Sequence, residues 1–520
     1  MLAPLLRSGL TATSRTVDAW YDGADTARAT FILLALFVGL WTIFHIVAYS
    51  SIGLHADLME MFAWSRHPAA GYSKHPPLGG LIAAVWFSVF PATEWAFHLL
   101  AMVNVAIGLF SIDLIARRYL SGDKRVLVLL LLLLTPFYQF MGQRFGANQM
   151  LLSTWPIATY CFLRAFETRN ALWSVLVGVS AAVAMLGKYY SIYLIGGFLV
   201  AALVHPARLT YFKSQSPWIS AGCGLIVLAP HAHWLVTTGF QPFGYALAAH
   251  SSPSFAAVAI KIGAYLFGGL AYVALPIAVY LLAVRPNRAT LKVALWPSDP
   301  DRRMLVVLLA AFLLLPAIVA PFMRVLLTSV WTMQAWFLLP IVLLAPNNAT
   351  LPRPPASHVA LLVLAMTIGA LIAAPGVAWY YHRYGTRDGI EYYRAASEAI
   401  TSAWRQAAGS RLRIVMGSGD YSQATTFYNP DHPDSVPGLI LRNSPWVSAG
   451  DLDRYGYAVV CGHAEAWCLE EMEARRLKYP AARRIEVELV NRYLGHAGSP
   501  HRVQFLIVPP PIGSTSHQQQ

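Results

Sequence analysis

Long apolar runs dominate the first three quarters of the chain. Stretches free of Asp, Glu, Lys and Arg cover residues 29–56, 126–143, 145–163, 214–260, 262–284, 304–323, 325–352 and 354–382. A helix of roughly 20 apolar residues crosses a bilayer core. With the mildly interrupted run 95–116 and the split pair 172–187 and 189–204, the pattern predicts about eleven spans. Residues 1–28 are polar and no cleavage site precedes the first run, so 30–50 reads as an uncleaved signal anchor.

From residue 383 the pattern changes to alternating short helix and strand signals of the kind that build α/β layers. Helices are expected over 388–408, 421–428 and 465–478, and strands over 413–416, 457–461, 485–490 and 503–508. Gly417-Ser418-Gly419-Asp420 follows a predicted strand but lacks the full spacing of a phosphate cradle, so a plain strand-to-helix turn is the better reading. Residues 513–520 read as a disordered polar tail. The layout is therefore an N-terminal segment 1–28, a transmembrane part 29–382, a soluble α/β domain 383–512 and the tail.

Composition agrees. Only 12% of the side chains are charged, against roughly 25% in soluble domains, which excludes a single soluble globule. Residues 1–382 hold 23 Lys and Arg against 11 acids, and the remainder holds 15 against 14. When the loops are labelled alternately, seventeen basic residues, among them Arg7, Arg118, Arg164 and Arg353, fall in one set, and only Arg66, Lys74, Arg144, Lys188, Lys261 and Arg324 in the other. Basic loops stay in the cytoplasm, so the N-terminus is expected inside and, with an odd number of spans, the C-terminal domain outside. The net charge of +13 is then a topology signal rather than a sign of nucleic-acid binding.

The scarcity of outer acids shortens the list of candidate chemistry. Asp18, Asp22, Asp25, Asp123, Glu167, Asp299 and Asp301 fall on inside segments, and Asp113 has Arg117 one helical turn away as an ion-pair partner. Asp57, Glu60 and Glu94 remain. Asp57 and Glu60 stand at i, i+3, on one face of a helix just after the first span. The segment 51–94 around them reads as a long, partly amphipathic outer loop lying along the membrane surface. A simpler role for such acids is to favour a helix N-terminus.

Arg144, Lys188 and Arg324 stand at outer span ends, where cations seek a cavity, an anionic partner or the headgroups. With few outer carboxylates to neutralise them, a lipid phosphate is the economical partner. His231 and His233, at i, i+2, point to different helix faces and do not form a metal site; His231 either lines the same cavity or is a satisfied buried histidine. Cys461 and Cys468 are a candidate disulfide pair in an exported domain, with two buried thiols as the alternative. No nucleotide loop, zinc-spaced Cys/His cluster or Gly-x-Ser-x-Gly element occurs.

An acid pair after the first span, the box Tyr72-Ser73-Lys74-His75-Pro76-Pro77-Leu78, Leu186-Gly187-Lys188-Tyr189-Tyr190 and an exported α/β tail together resemble glycosyltransferase family 39 of the GT-C type. That family includes protein O-mannosyltransferases, lipid A aminoarabinose transferases and lipopolysaccharide-core galacturonosyltransferases. The two boxes are most similar to the subgroup that decorates lipopolysaccharide.

The resemblance implies transfer of one hexosyl or glycuronosyl unit, with inversion, from a polyprenyl-phosphate donor to a hydroxyl of an envelope acceptor such as lipid A, core or another glycolipid. A protein Ser or Thr is the alternative acceptor, and a transporter or flippase for a lipid-linked sugar the alternative activity. By the same resemblance Asp57 is the general base, Glu60 an orienting acid, and Lys74 the ligand of the donor phosphate, with Arg144, Lys188 and Arg324 as further phosphate ligands. Trp64, Tyr72, His75, Asn148, Tyr189 and His231 are expected to position substrate. Asn148 stands where relatives often carry an acid. No cofactor is firmly implied, and the divalent cation some GT-C enzymes use has little ligand support here.

Overall fold

The computed structural model describes residues 15–346 and 351–511. Arg7 and the expected disordered tail 513–520 lie outside the described residues.

Six described helices are long and apolar enough to cross a membrane. They are α1 (Ala27–Ala48), then, past the shorter α2 (Ala56–Ser65) and α3 (Leu78–Phe87), α4 (Glu94–Ala116), α5 (Ser216–Thr237), and, past α6 (Gln241–His250), α7 (Phe255–Tyr272), α8 (Pro300–Met323) and α9 (Arg353–Tyr384). Shorter apolar helices, Ala171–Gly187 and Ala274–Val284 among them, fill out the bundle. Some long helices bury little: on α5 only Ser216 and His231 are buried, while Trp218, Leu225, Ile226 and Val236 are exposed. An apolar helix exposed on nearly every side is untenable in water and ordinary in lipid. The chain is a multi-pass membrane protein.

Three predicted runs are not single helices. The run 214–260 is broken at Gly239 and Phe240 into α5 and α6. The run 126–143 is helical only to Leu132, and 325–352 is split into 3-10 turns at Ser329–Thr332 and Trp336–Leu338 plus Leu339–Leu344. Irregular backbone at membrane depth survives only where protein satisfies its polar groups. Side-chain amides do so here. Asn104 donates to the Gln149 carbonyl (2.9 Å), Gln149 to that of Met141 (3.2 Å) and Gln334 to that of Trp331 (2.6 Å).

Charges assigned to inside segments gather at the bundle end where α1 and α9 begin. Arg353 bridges Asp22 (3.0 Å) and Asp123 (2.6 Å), and Glu167 pairs with Arg118 and Arg164 (2.6 and 2.9 Å). Asp113 is fully buried, and besides Arg117 (2.6 Å) it holds Arg125 (2.7 Å) and the Thr30 hydroxyl.

After α9 the chain forms α10 (Tyr393–Ala408), β1 (Ile414–Gly417), α11 (Gly419–Tyr428), β2 (Asp434–Pro437), β3 (Tyr457–Gly462), α12 (Ala466–Lys478), β4 (Arg483–Tyr493) and β5 (His496–Val508). The sheet order is β2-β1-β3-β5-β4, parallel from β2 to β3 and antiparallel through the β4–β5 hairpin. Gly417 has φ +116°, and a Cβ there would stand 2.1 Å from the Val460 carbonyl oxygen, so only glycine lets β1 lie so close to β3 and turn into α11. Ser418 binds Val460 and Glu465 within the domain, which makes this an internal strand-to-helix turn. Cys461 at the end of β3 and Cys468 in α12 are joined as a disulfide.

The expected surface-lying loop differs from the structure. Helix α2 is buried from Leu58 to Trp64, because α11 of the C-terminal domain covers it. Phe427 packs edge-on against Phe62 at 5.1 Å and tilted against Phe97 at 5.6 Å. Glu94, one of the three acids expected outside, is a clamp between domains: it accepts from Tyr428 (2.7 Å) and pairs with Arg394 (2.5 Å), and the Leu54 N–H donates to the Tyr428 hydroxyl. Glu94→Ala strands two partners at once. It is expected to cost about 1–3 kcal/mol of docking, visible as earlier protease cleavage between the bundle and the C-terminal domain.

Candidate active site

Helix α2 begins with His55 as N-cap, whose Nδ1 accepts from the Asp57 N–H at 3.2 Å. That nitrogen is therefore an acceptor, and burial holds the imidazole below its ordinary pKa although Asp57 pulls the other way. His55 is neutral beside Asp57, not an ion-pair partner, despite a separation of 3.5 Å. The Asp57 side chain is 43% exposed, and its carboxylate accepts no hydrogen bond among the described residues. Gly146 lies against it, a Cβ there standing 3.6 Å from Oδ2. Such a carboxylate is free to accept a proton from a ligand.

One turn on, Glu60 is 7% exposed and bound on both oxygens by the Lys74 ammonium, at 3.1 and 3.3 Å. Burial pushes the Glu60 carboxyl up, and Lys74 and the Gln423 amide (3.4 Å) draw it back. The Glu60 carboxylate in turn holds Lys74 above the usual lysine range. A tight turn makes the pairing, in which the Tyr72 N–H donates to the His75 carbonyl at 3.1 Å and Lys74 projects between them. The Lys74 ammonium also stands 5.5 Å above the Tyr245 ring.

Lys188 follows helix Ala171–Gly187 and is enclosed by aromatic rings, with Trp331 4.4 Å below its ammonium and Asn148 Oδ1 as hydrogen-bond acceptor. Burial lowers it, and the nearby Asp57 charge works against that. His75 is half-buried and neutral, held down by burial and by Lys74, Lys188 and His250. Asp57, Lys74, His75, Lys188 and His250 thus form one electrostatic cluster. Arg144 is exposed and acts on His55, and its side chain makes no ion pair or hydrogen bond among the described residues.

Other expected site residues are engaged elsewhere. Arg324 lies with its guanidinium on the Pro253 carbonyl and 3.6 Å over the Phe255 ring, so it holds the loop after α6. Tyr72 is buried, stacks on Trp64 at 4.6 Å and ties its hydroxyl to the carbonyls of Trp64 and His67 (3.0 and 3.1 Å). His231 Nδ1 donates to the Ala70 carbonyl (2.6 Å), and Nε2 accepts from the Tyr189 hydroxyl (2.9 Å). Their polar atoms are engaged inside the protein, so Tyr72, Tyr189 and His231 brace the loop. Gly71 completes the brace: a Cβ there would stand 2.3 Å from the Trp234 ring.

Above Glu60 and Lys74 opens a cavity of about 790 Å³ whose far wall is the C-terminal domain. Gln423, Asn443 and Trp446 belong to that wall, and α6 supplies Tyr245. Sequence reading passed over them because they are uncharged and distant along the chain. No group of three His, Cys, Asp or Glu among the described residues could hold a metal. The acid pair does not fit one either, because Glu60 is engaged by Lys74 and Asp57 faces cations and a neutral histidine.

Residues 74–234 match the family described as dolichyl-phosphate-mannose-protein mannosyltransferase. No curated protein matches the chain. Among solved structures, ArnT from Cupriavidus metallidurans bound to undecaprenyl phosphate is similar over 92% of this chain and 98% of its own, with 14% identity and a TM-score of 0.57. The apo state of the same protein covers the same shares at 15% identity and a TM-score of 0.52. The archaeal oligosaccharyltransferase AglB from Archaeoglobus fulgidus covers 86% of this chain and 70% of its own at 11% identity and a TM-score of 0.38. The chain has the fold of that ArnT structure, a bundle of apolar helices followed by a sheet domain, and residues 74–234 carry its likeness to the mannosyltransferase family.

Proposed function

We propose that the protein is a membrane glycosyltransferase that moves one sugar from a polyprenyl-phosphate donor to a hydroxyl of an envelope glycolipid, at the periplasmic face of the inner membrane. The observation that carries this reading is the Asp57 carboxylate, half-exposed and without a hydrogen-bond donor among the described residues, within the field of Lys74 and Lys188. The ArnT fold and the match over 74–234 support it, because undecaprenyl phosphate is what the similar ArnT structure holds.

In the reaction, Asp57 takes the proton of the acceptor hydroxyl as its oxygen bonds to the anomeric carbon. The bond from that carbon to the phosphate oxygen breaks on the opposite side, with inversion, and polyprenyl phosphate leaves with the electron pair. Charge grows on the leaving phosphate, and preorganised cations stabilise it more than the ground state. Lys74 retains a third N–H beyond the two on Glu60, and Lys188 and Arg144 flank the same region. Glu60 orients Lys74. Asn148 orients Lys188, and because an amide cannot take a proton, it leaves Asp57 as the base.

The direct experiment gives purified protein a radiolabelled polyprenyl-phosphate-linked sugar and an envelope lipid extract. Label is expected to move to an acceptor, to be identified by mass spectrometry. Saturable binding of the donor without turnover would mark a carrier and defeat the reading.

A further inference from the structure

The cavity over Glu60 and Lys74 is walled by two separate parts of the chain, and its lining is unusual in one respect. Ser73 from the outer loop, Gln241 from the start of α6 and Asn443 from the C-terminal domain all border it, and none of the three side chains makes a hydrogen bond among the described residues. Elsewhere the protein uses its amides: Asn104, Gln149 and Gln334 bind backbone carbonyls, and Gln423 binds Glu60. Two amides and a hydroxyl left open around one space offer both donors and acceptors, with no net charge of their own.

Aromatic surface interleaves with these groups. Trp446 borders the cavity with one face covered by His67 (4.9 Å, 9° between planes), which in turn is fixed by Asp434 at 2.7 Å. Trp64, held flat by Tyr72, and Tyr245 border it as well. Large rigid rings beside paired amide donors and acceptors are the chemistry that recognises a sugar ring, whose C–H face packs on an aromatic plane while its hydroxyls bracket amides. An acyl chain would leave the open amides unmatched, at a cost of about 1–3 kcal/mol for each buried group. The volume of about 790 Å³ is ample for one or two pyranose rings.

We propose that this interdomain cavity is a saccharide-binding site in which Asn443 and Trp446 of the C-terminal domain, with Ser73 and Gln241, read a sugar ring held over the Glu60–Lys74 pair. The proposal rests on the transferase reading and deepens it, for it makes the C-terminal domain half of the site. The same chemistry fits the saccharide of the acceptor and the glycosyl unit of the donor.

The test is saturation-transfer NMR on the full-length protein in nanodiscs, with mannose, glucose and galacturonate as free probes. At least one pyranose is expected to receive saturation on its ring protons, and the signal should fall at least fivefold in Asn443→Ala. Trp446→Leu should do the same, and because that ring also packs on His67, its undecaprenyl phosphate binding is measured beside it to confirm a folded protein. No transfer to any probe, or an unchanged signal in Asn443→Ala, overturns the site. In the transfer assay a raised KM for acceptor in Asn443→Ala assigns the ring to the acceptor, and a raised KM for donor assigns it to the donor. If both stay unchanged the site is wrong. A wild-type protein that binds pyranose but transfers nothing defeats the transferase reading and leaves the site standing.

Discussion

Asp57→Asn is expected to abolish sugar transfer while the protein inserts and folds as before. A positioned general base contributes about 10²- to 10⁴-fold, equivalent to roughly 3–5 kcal/mol of barrier, and an amide of the same shape cannot accept the proton. The structural cost is small by comparison. Asp57 sits in the first turn of α2, accepts no hydrogen bond among the described residues, and is 43% exposed. Losing its charge there removes a helix-dipole interaction of about 0.3–1 kcal/mol. The two contributions differ enough to be separated: transfer should vanish, while the unfolding temperature and the binding of undecaprenyl phosphate stay near wild type. Near-normal product from Asp57→Asn would remove Asp57 as the base, and the buried Glu60 could not take over easily because Lys74 occupies both its oxygens.

Charge made part of this site readable without a structure. In a chain with 12% charged residues, sorting acids by loop left three candidates, Asp57 and Glu60 among them, and the family resemblance of the 72–78 box added Lys74. They do meet in space. What sorting by charge could not assign was partnership. Glu60 and Lys74 are fourteen residues apart and meet only because the 72–75 turn folds back over α2, and Glu94 looked like a site residue until Arg394 and Tyr428 arrived from the far end of the chain.

Polar residues without charge carried no such signal. Gln423 and Asn443 resemble any other surface amide in sequence, and their place over the acid pair depends on how the C-terminal domain docks. Hydropathy has a similar blind spot. The run 325–352 is apolar, its stretch 331–346 is almost wholly buried in protein, and burial tolerates a broken backbone as readily as a helix when Gln334 and its neighbours satisfy the free carbonyls. Strand β2 was missed for the opposite reason, since Asp434-Ser435-Val436-Pro437 has the composition of a turn and becomes a strand only by pairing in parallel with β1.

Lys74→Ala is expected to lose transfer as fully as Asp57→Asn, and unlike that variant to lose stability too. Glu60, 7% exposed in the wild type, would keep the Gln423 amide at 3.4 Å as its only hydrogen-bond donor among the described residues. Removing one partner of a buried ion pair costs about 3–5 kcal/mol, and because Lys74 is 32% exposed, solvent screening brings the expectation to the lower end, about 3 kcal/mol. The second substitution Glu60→Gln removes the stranded charge. Lys74→Ala/Glu60→Gln should therefore regain most of the lost stability in a thermal melt, a coupling that a double-mutant cycle measures directly. Transfer should not return, because the cation facing the donor phosphate is still missing. Recovery of transfer in the double variant would mean that Lys74 serves only to neutralise Glu60, and the phosphate would then have to be held by Lys188 and Arg144 alone.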